Sequence, residues 1–124
     1  MKAIHYVGIL VFAVACYFFV QDRNDRAVLE NSEGYKLFSD GNYGQAIDAF
    51  NRDVVAGAKN HMVYKYLGDA CYYEKRFYEA IQAYDKSLEL KSFSNKASNN
   101  KKVAVRAQIA ARGNLDIVNV MTHE

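Results

Sequence analysis

The chain has 124 residues, which allows one small domain. It carries 14% aromatic residues, with 10 Tyr, 7 Phe and neither Pro nor Trp, which fits a helical, Tyr-rich fold. A net charge of +2 with no recognition motif argues against a nucleic-acid partner, and its 2 cysteines sit too far apart in character to expect a disulfide.

The first predicted element is apolar. Residues 3–21 hold no Asp, Glu, Lys or Arg across 19 positions. As a helix that run is about 28 Å long, close to the roughly 30 Å hydrocarbon core of a bilayer. Tyr6 near one end and Tyr17, Phe18 and Phe19 near the other suit the two interfacial belts. A transmembrane anchor over residues 1–21 is the leading reading, with His5 at its edge. A cleaved signal peptide would use Lys2 as its basic end and Ala13-Val14-Ala15 as its cleavage site. A lipoprotein signal would make Cys16 the modified residue, and a buried core helix is a further alternative. Against cleavage, apolar residues continue past the cut as Tyr17-Phe18-Phe19-Val20. Lys2 lies on one side of the span and Arg23 and Arg26 on the other, so charge leaves the orientation open, with a slight lean to a domain outside the cytoplasm. Between the span and residue 31 the chain is polar but rich in helix formers. Either the membrane helix continues into the next element, or Asp22–Asp25 forms a short linker.

Two segments then align at an offset of 34 residues, 27–60 and 61–94. Gly34 falls on Gly68, Tyr43 on Phe77, Ala46-Ile47 on Ala80-Ile81, and Ala49-Phe50 on Ala83-Tyr84. Tyr64, Leu67, Cys71 and then Phe77, Ala80, Ile81, Tyr84 and Leu88 follow helical spacing. Asp40-Gly41-Asn42 is turn chemistry between two such stripes. Small residues at Gly68 and Ala80 leave room for close helix approach, and the aromatics fill the space beside them.

The second segment resembles a tetratricopeptide (TPR) repeat through Tyr64, Leu67-Gly68, Ala80 and Tyr84. It departs from that pattern at Cys71, Lys75 and Ser92, where an aromatic, a Gly and a Pro are usual. The first segment keeps Gly34, Tyr43, Ala46 and Phe50 but has Glu30 and Glu33 where a large aromatic and a Leu are expected. Its degeneracy is in keeping with a terminal repeat, which lacks a neighbour on one face. The resemblance implies an all-α fold of two helical hairpins. The inner helix of each would line a groove for another polypeptide. Carried onto this chain, the groove positions are Val28, Asn31, Tyr35, Phe38 and Ser39 in the first repeat. In the second they are Met62, Lys65, Asp69, Tyr72 and Tyr73. The family's clamp for C-terminal carboxylates is only loosely met by Lys65 and Asn31.

Residues 91–124 hold six basic and two acidic groups. Ser92–Asn100 reads as a polar turn, and Lys101–Arg112 as a helix with Val103, Ala107 and Ala110 or Ala111 on its apolar face. Gly113-Asn114 reads as its stop. The region 95–124 is expected to cap the open end of the repeats on Tyr84 and Leu88. Lys101, Lys102 and Arg106 offer a basic surface for anionic lipid or an acidic partner. Strand-like alternation is confined to Asp116–Met121.

His5, His61 and His123 are scattered, and no Cys or His pair has metal-ligand spacing. No phosphate-cradling loop or nucleophile elbow is present. Glu79, Asp85 and Glu89 are expected in helix-surface pairs with Lys75, Arg76 and Lys86. The expectation is an interaction scaffold at a membrane, without cofactor or metal and not an enzyme. It would serve as an accessory or assembly subunit of a larger membrane complex. The alternatives are a soluble periplasmic or secreted adaptor after signal removal, a self-associating homo-oligomer, and an enzyme or regulator that uses His61 or Glu74.

Overall fold

A computed structural model describes residues 2–91 and 94–122, with side chains as far as Gly113. Ser92 and His123 lie outside the described residues. The fold is all-α, with six helices and no strand among the described residues. They are α1 (Lys2–Glu30), α2 (Glu33–Ser39), α3 (Tyr43–Val55), α4 (His61–Tyr73), α5 (Phe77–Leu90) and α6 (Asn95–Thr122).

With no Pro and a single Gly in its first 30 residues, nothing interrupts α1, and its 29 residues make a rod of about 44 Å. It is long and apolar enough to cross a membrane, and among the described residues none buries its apolar stretch. Phe12, midway along, is 72% exposed. Asp22–Asp25, weighed as a linker, is helical. The rod reaches the domain, where Leu29 is buried in the core, but it does not merge with the first hairpin. Ser32 ends it: its hydroxyl donates to the Leu29 carbonyl at 2.6 Å and accepts the Tyr35 amide at 3.2 Å. One side chain thus satisfies a C-terminal carbonyl of α1 and an N-terminal amide of α2. The inner helix of the first repeat is cut to 7 residues as a result. Glu30 and Glu33, the two departures from the repeat pattern, are exposed on either side of that break.

The offset of 34 recurs in three dimensions. A β-carbon on Gly34 would lie 2.6 Å from the Phe50 ring, and one on Gly68 would lie 2.6 Å from the Tyr84 ring. Each hairpin therefore closes by seating an aromatic of its outer helix on a glycine of its inner helix. The turns match too. The Gly41 amide bonds to Phe38 O and the Asn42 amide to Leu37 O; the Lys75 amide bonds to Tyr72 O and the Arg76 amide to Cys71 O. Both turns need a left-handed residue to reach that geometry. Gly41 takes φ 80° without strain, whereas Lys75 holds φ 60° with a side chain. Left-handed backbone costs an L-residue roughly 1–2 kcal/mol, part of which glycine loses again through its freer unfolded chain. Lys75→Gly is accordingly expected to stabilise the fold by about 0.5–1 kcal/mol, read as a higher urea midpoint. An unchanged or lower midpoint would refute that account of the turn.

Departures from the repeat pattern have local explanations. Cys71 is 2% exposed and fills the core site usually held by a ring; burial pushes its thiol up to about 11. Ser87, fully buried, donates its hydroxyl to the His61 carbonyl at 2.9 Å and so ties the end of α5 to the start of α4.

The C-terminal element differs most from expectation. Of the residues read as a turn, Asn95–Asn100 belong to α6, which starts 34 residues after α4 starts at His61. It therefore stands where the inner helix of a third repeat would begin. Ala97 and Ala104 are completely buried, while Val103, expected on the apolar face, is 47% exposed. Gly113-Asn114 does not stop the helix, and Asp116–Met121 is helical.

Candidate protein-docking surface

Aromatic side chains at the groove positions do not stand alone. Tyr35 and Phe38 of α2 each meet Tyr66 of α4 edge-on, with centroids 5.2 Å apart. Phe38 also meets Tyr43 at 5.4 Å, and Tyr43 stacks on Tyr73 at 4.6 Å with an interplanar angle of 18°. Tyr73 touches Tyr72, which in turn reaches Phe77 at 5.6 Å. The result is an unbroken ladder of seven rings across four helices. Six of its members are half-buried and hold one another in place; Tyr73 is 55% exposed. Such a surface is apolar in bulk, rigid, and supplied with phenol groups for hydrogen bonding.

Four of the expected groove residues, Tyr35, Phe38, Tyr72 and Tyr73, fall on this ladder. Tyr43, Tyr66 and Phe77 complete it, and sequence reasoning did not place them there. Their signal was the helical spacing of Tyr66 and Tyr73 on α4, and the paired offsets of Tyr43 and Phe77. Met62 packs half-buried against the core. Ser39 is exposed at the end of α2. Val28 and Asn31 do not join the others. Val28 is exposed on α1, and the Asn31 amide side chain bonds to the Ala27 carbonyl at 2.9 Å to finish that helix.

Asp69 is engaged within the chain. One carboxylate oxygen accepts the Tyr84 hydroxyl at 2.5 Å and the Asn100 amide at 2.8 Å. The other pairs with Lys65 at 3.0 Å. Asp69 thus joins α4, α5 and α6 through one largely buried group. Burial, and then the bond to Asp69, raise the Tyr84 phenol well above its ordinary pKa, so it stays a donor. Lys65 is committed as well: its ammonium also lies 4.1 Å from the Tyr66 ring centroid. The expected basic surface is narrowed in the same way. Lys101 pairs with Asp85 of α5, leaving Lys102 and Arg106 exposed on α6. Arg76–Glu79 and Lys86–Glu89 form the surface pairs anticipated for α5.

A second cluster fastens α1 beneath the hairpins. The Asn60 side chain donates to the Asp25 carbonyl at 2.7 Å and accepts the Met62 amide at 2.9 Å, capping α4 and holding α1 together. Lys91 pairs with Asp22 at 2.7 Å. His61 Nε2 lies 4.0 Å from the same Asp22 carboxylate and is buried without a hydrogen-bond partner. Burial, reinforced by Lys91 and opposed by Asp25 and Asp22, holds this imidazole below its ordinary 6.5. Below 6.5 the unfolded chain binds a proton that the folded one refuses, so acidification from neutral pH lowers stability. Thermal midpoints between pH 7.5 and 5.5 should therefore fall, and fall less in His61→Gln; equal slopes in the two proteins would rule this out.

Among the described residues no group of three His, Cys, Asp or Glu side chains is placed to hold a metal ion. The chain matches no protein-family model and no curated protein.

Proposed function

We propose that the protein is a membrane-anchored interaction scaffold, an accessory or assembly subunit that docks another polypeptide on its aromatic ladder. The observation that carries this reading is the ladder itself. Seven rings touch in an unbroken series across four helices, and the most exposed of them, Tyr73, is held by stacking on Tyr43. Rigid Tyr-rich faces supply contact area at low entropic cost, and Tyr is enriched among the residues that dominate binding energy. The resemblance of both hairpins to tetratricopeptide repeats supports the same use of the inner helices. The exposed apolar length of α1 supports a location at a bilayer. With two hairpins and a capping helix the face is short, which suits one peptide or one subunit edge.

The test is affinity capture of the full chain in mild detergent, with quantitative mass spectrometry of what co-purifies. Tyr73→Ala is expected to reduce a bound partner by tenfold or more, since truncating a central anchor costs about 2 kcal/mol. Tyr78→Ala, on the outer face of α5 and 62% exposed, should leave it unchanged. Equal recovery with Tyr73→Ala and wild type would eliminate the ladder as the docking face.

A further inference from the structure

A cavity of about 560 Å³ opens where α1 meets the hairpins. Phe18 and Leu90 are its apolar lining, and Lys59, Asp25, His61 and the Asp22–Lys91 pair its polar lining. Phe18 belongs to the apolar run of α1, whereas Asp22 and Asp25 lie one and two turns beyond it. On the membrane-anchored reading, on which this inference rests, the cavity mouth therefore sits at the headgroup level of the leaflet, and its greasy side is continuous with the acyl region. The space exceeds what a few waters occupy, a water taking about 30 Å³ of liquid volume. Its ionised side chains balance, Lys59 and Lys91 against Asp22 and Asp25. A headgroup carrying both charges complements that lining better than a purely anionic one.

We propose that this cavity holds one aminophospholipid, its acyl chain against Phe18 and Leu90, its phosphate on Lys59 and its primary ammonium between Asp25 and His61. A primary ammonium has three N–H donors. Asp25 accepts one, and His61 Nε2, buried in the free chain, accepts another once the ring turns toward the cavity in the tautomer protonated on Nδ1. That bond would satisfy a nitrogen that has no hydrogen-bond partner among the described residues. A quaternary ammonium has no such donor.

The experiment is native mass spectrometry of the full chain released from micelles doped with equal amounts of phosphatidylethanolamine, phosphatidylcholine and phosphatidylglycerol. One phosphatidylethanolamine per protein is expected to survive release, at least tenfold above either competitor. Lys59→Ala and Asp25→Asn should each lower its retention about tenfold, the effect of losing one charge-assisted contact. Unchanged helical content and thermal midpoint would show that both variants fold. Equal retention of the three lipids, preference for phosphatidylglycerol, or indifference to both substitutions would overturn the site. Alkaline carbonate extraction of the wild-type chain separates the two layers of the argument. A chain that resists extraction yet retains no lipid refutes the cavity assignment alone; a chain that is extracted refutes the anchor and the lipid site together.

Discussion

Tyr84→Ala is expected to destabilise the protein by about 3–5 kcal/mol, enough to unfold much of a small domain whose total stability is on the order of 5–10 kcal/mol. Tyr84 is 1% exposed, so truncation leaves a cavity where its ring rested on Gly68. It also takes the hydroxyl from Asp69, whose remaining partners are Asn100 and Lys65. Tyr84→Phe separates the two losses, keeping the ring and costing about 1.5–3 kcal/mol for the bond to a charged acceptor. Gly68→Ala attacks the same contact from the other side. The added methyl would sit 2.6 Å from the ring, and neither the buried ring nor the helix backbone has space to yield. Overpacking of this kind costs about 1–3 kcal/mol. In the double variant the methyl enters space that the ring has left, so its loss should be smaller than the sum of the two single losses. Gly34→Ala against Phe50 should behave in parallel in the first hairpin. Urea denaturation of the five variants measures all of this. A Gly68→Ala protein as stable as wild type would remove the shared closure as the feature that makes both hairpins fold.

Placing charge at the centre of α1 carries the other large effect. Val11 is 62% exposed and Val14 47% exposed, midway along the apolar run. On the anchored reading an Asp at either position costs about 3 kcal/mol in insertion, and the pair roughly twice that. Val11→Asp/Val14→Asp is expected to move most of the protein from the carbonate-resistant membrane pellet to the soluble or aggregated fraction. The hairpins do not rest on these residues, so any soluble variant should keep its helical content. A double variant that pellets and resists extraction as well as wild type would mean that α1 does not span.

Much of the fold could be read directly from the amino acids, and the reason is physical. Glycine facing a ring, turn residues between apolar stripes and a 34-residue period are local signals that packing then reinforces. Two boundaries were not visible in this way. Ser32 divides α1 from α2 by bonding to both helix ends, which resembles any mid-helix serine until the chain is folded. Asn95–Asn100 looks like a turn because Asn and Ser are weak helix formers, yet the burial of Ala97 and the Asn100–Asp69 bond override that propensity. The arrangement of the expected groove residues was half legible. Tyr35, Phe38, Tyr72 and Tyr73, expected on the groove, meet in one series of ring contacts, whereas Asp69 and Lys65 are engaged within the chain. A carboxylate shared by three helices and a lysine paired with it look no different in sequence from ordinary surface charges.

The fastening of α1 has a mechanical outcome. Leu29 in the core, Asn60 on the Asp25 carbonyl and Lys91 on Asp22 leave the shaft no pivot before it enters the hairpins. Rotation or lean of that shaft by a neighbouring subunit would swing the ring-lined face through the same angle. On the anchored reading the module would then behave as a pointer whose aim is set from within the lipid, while a flexible tether would lose that information.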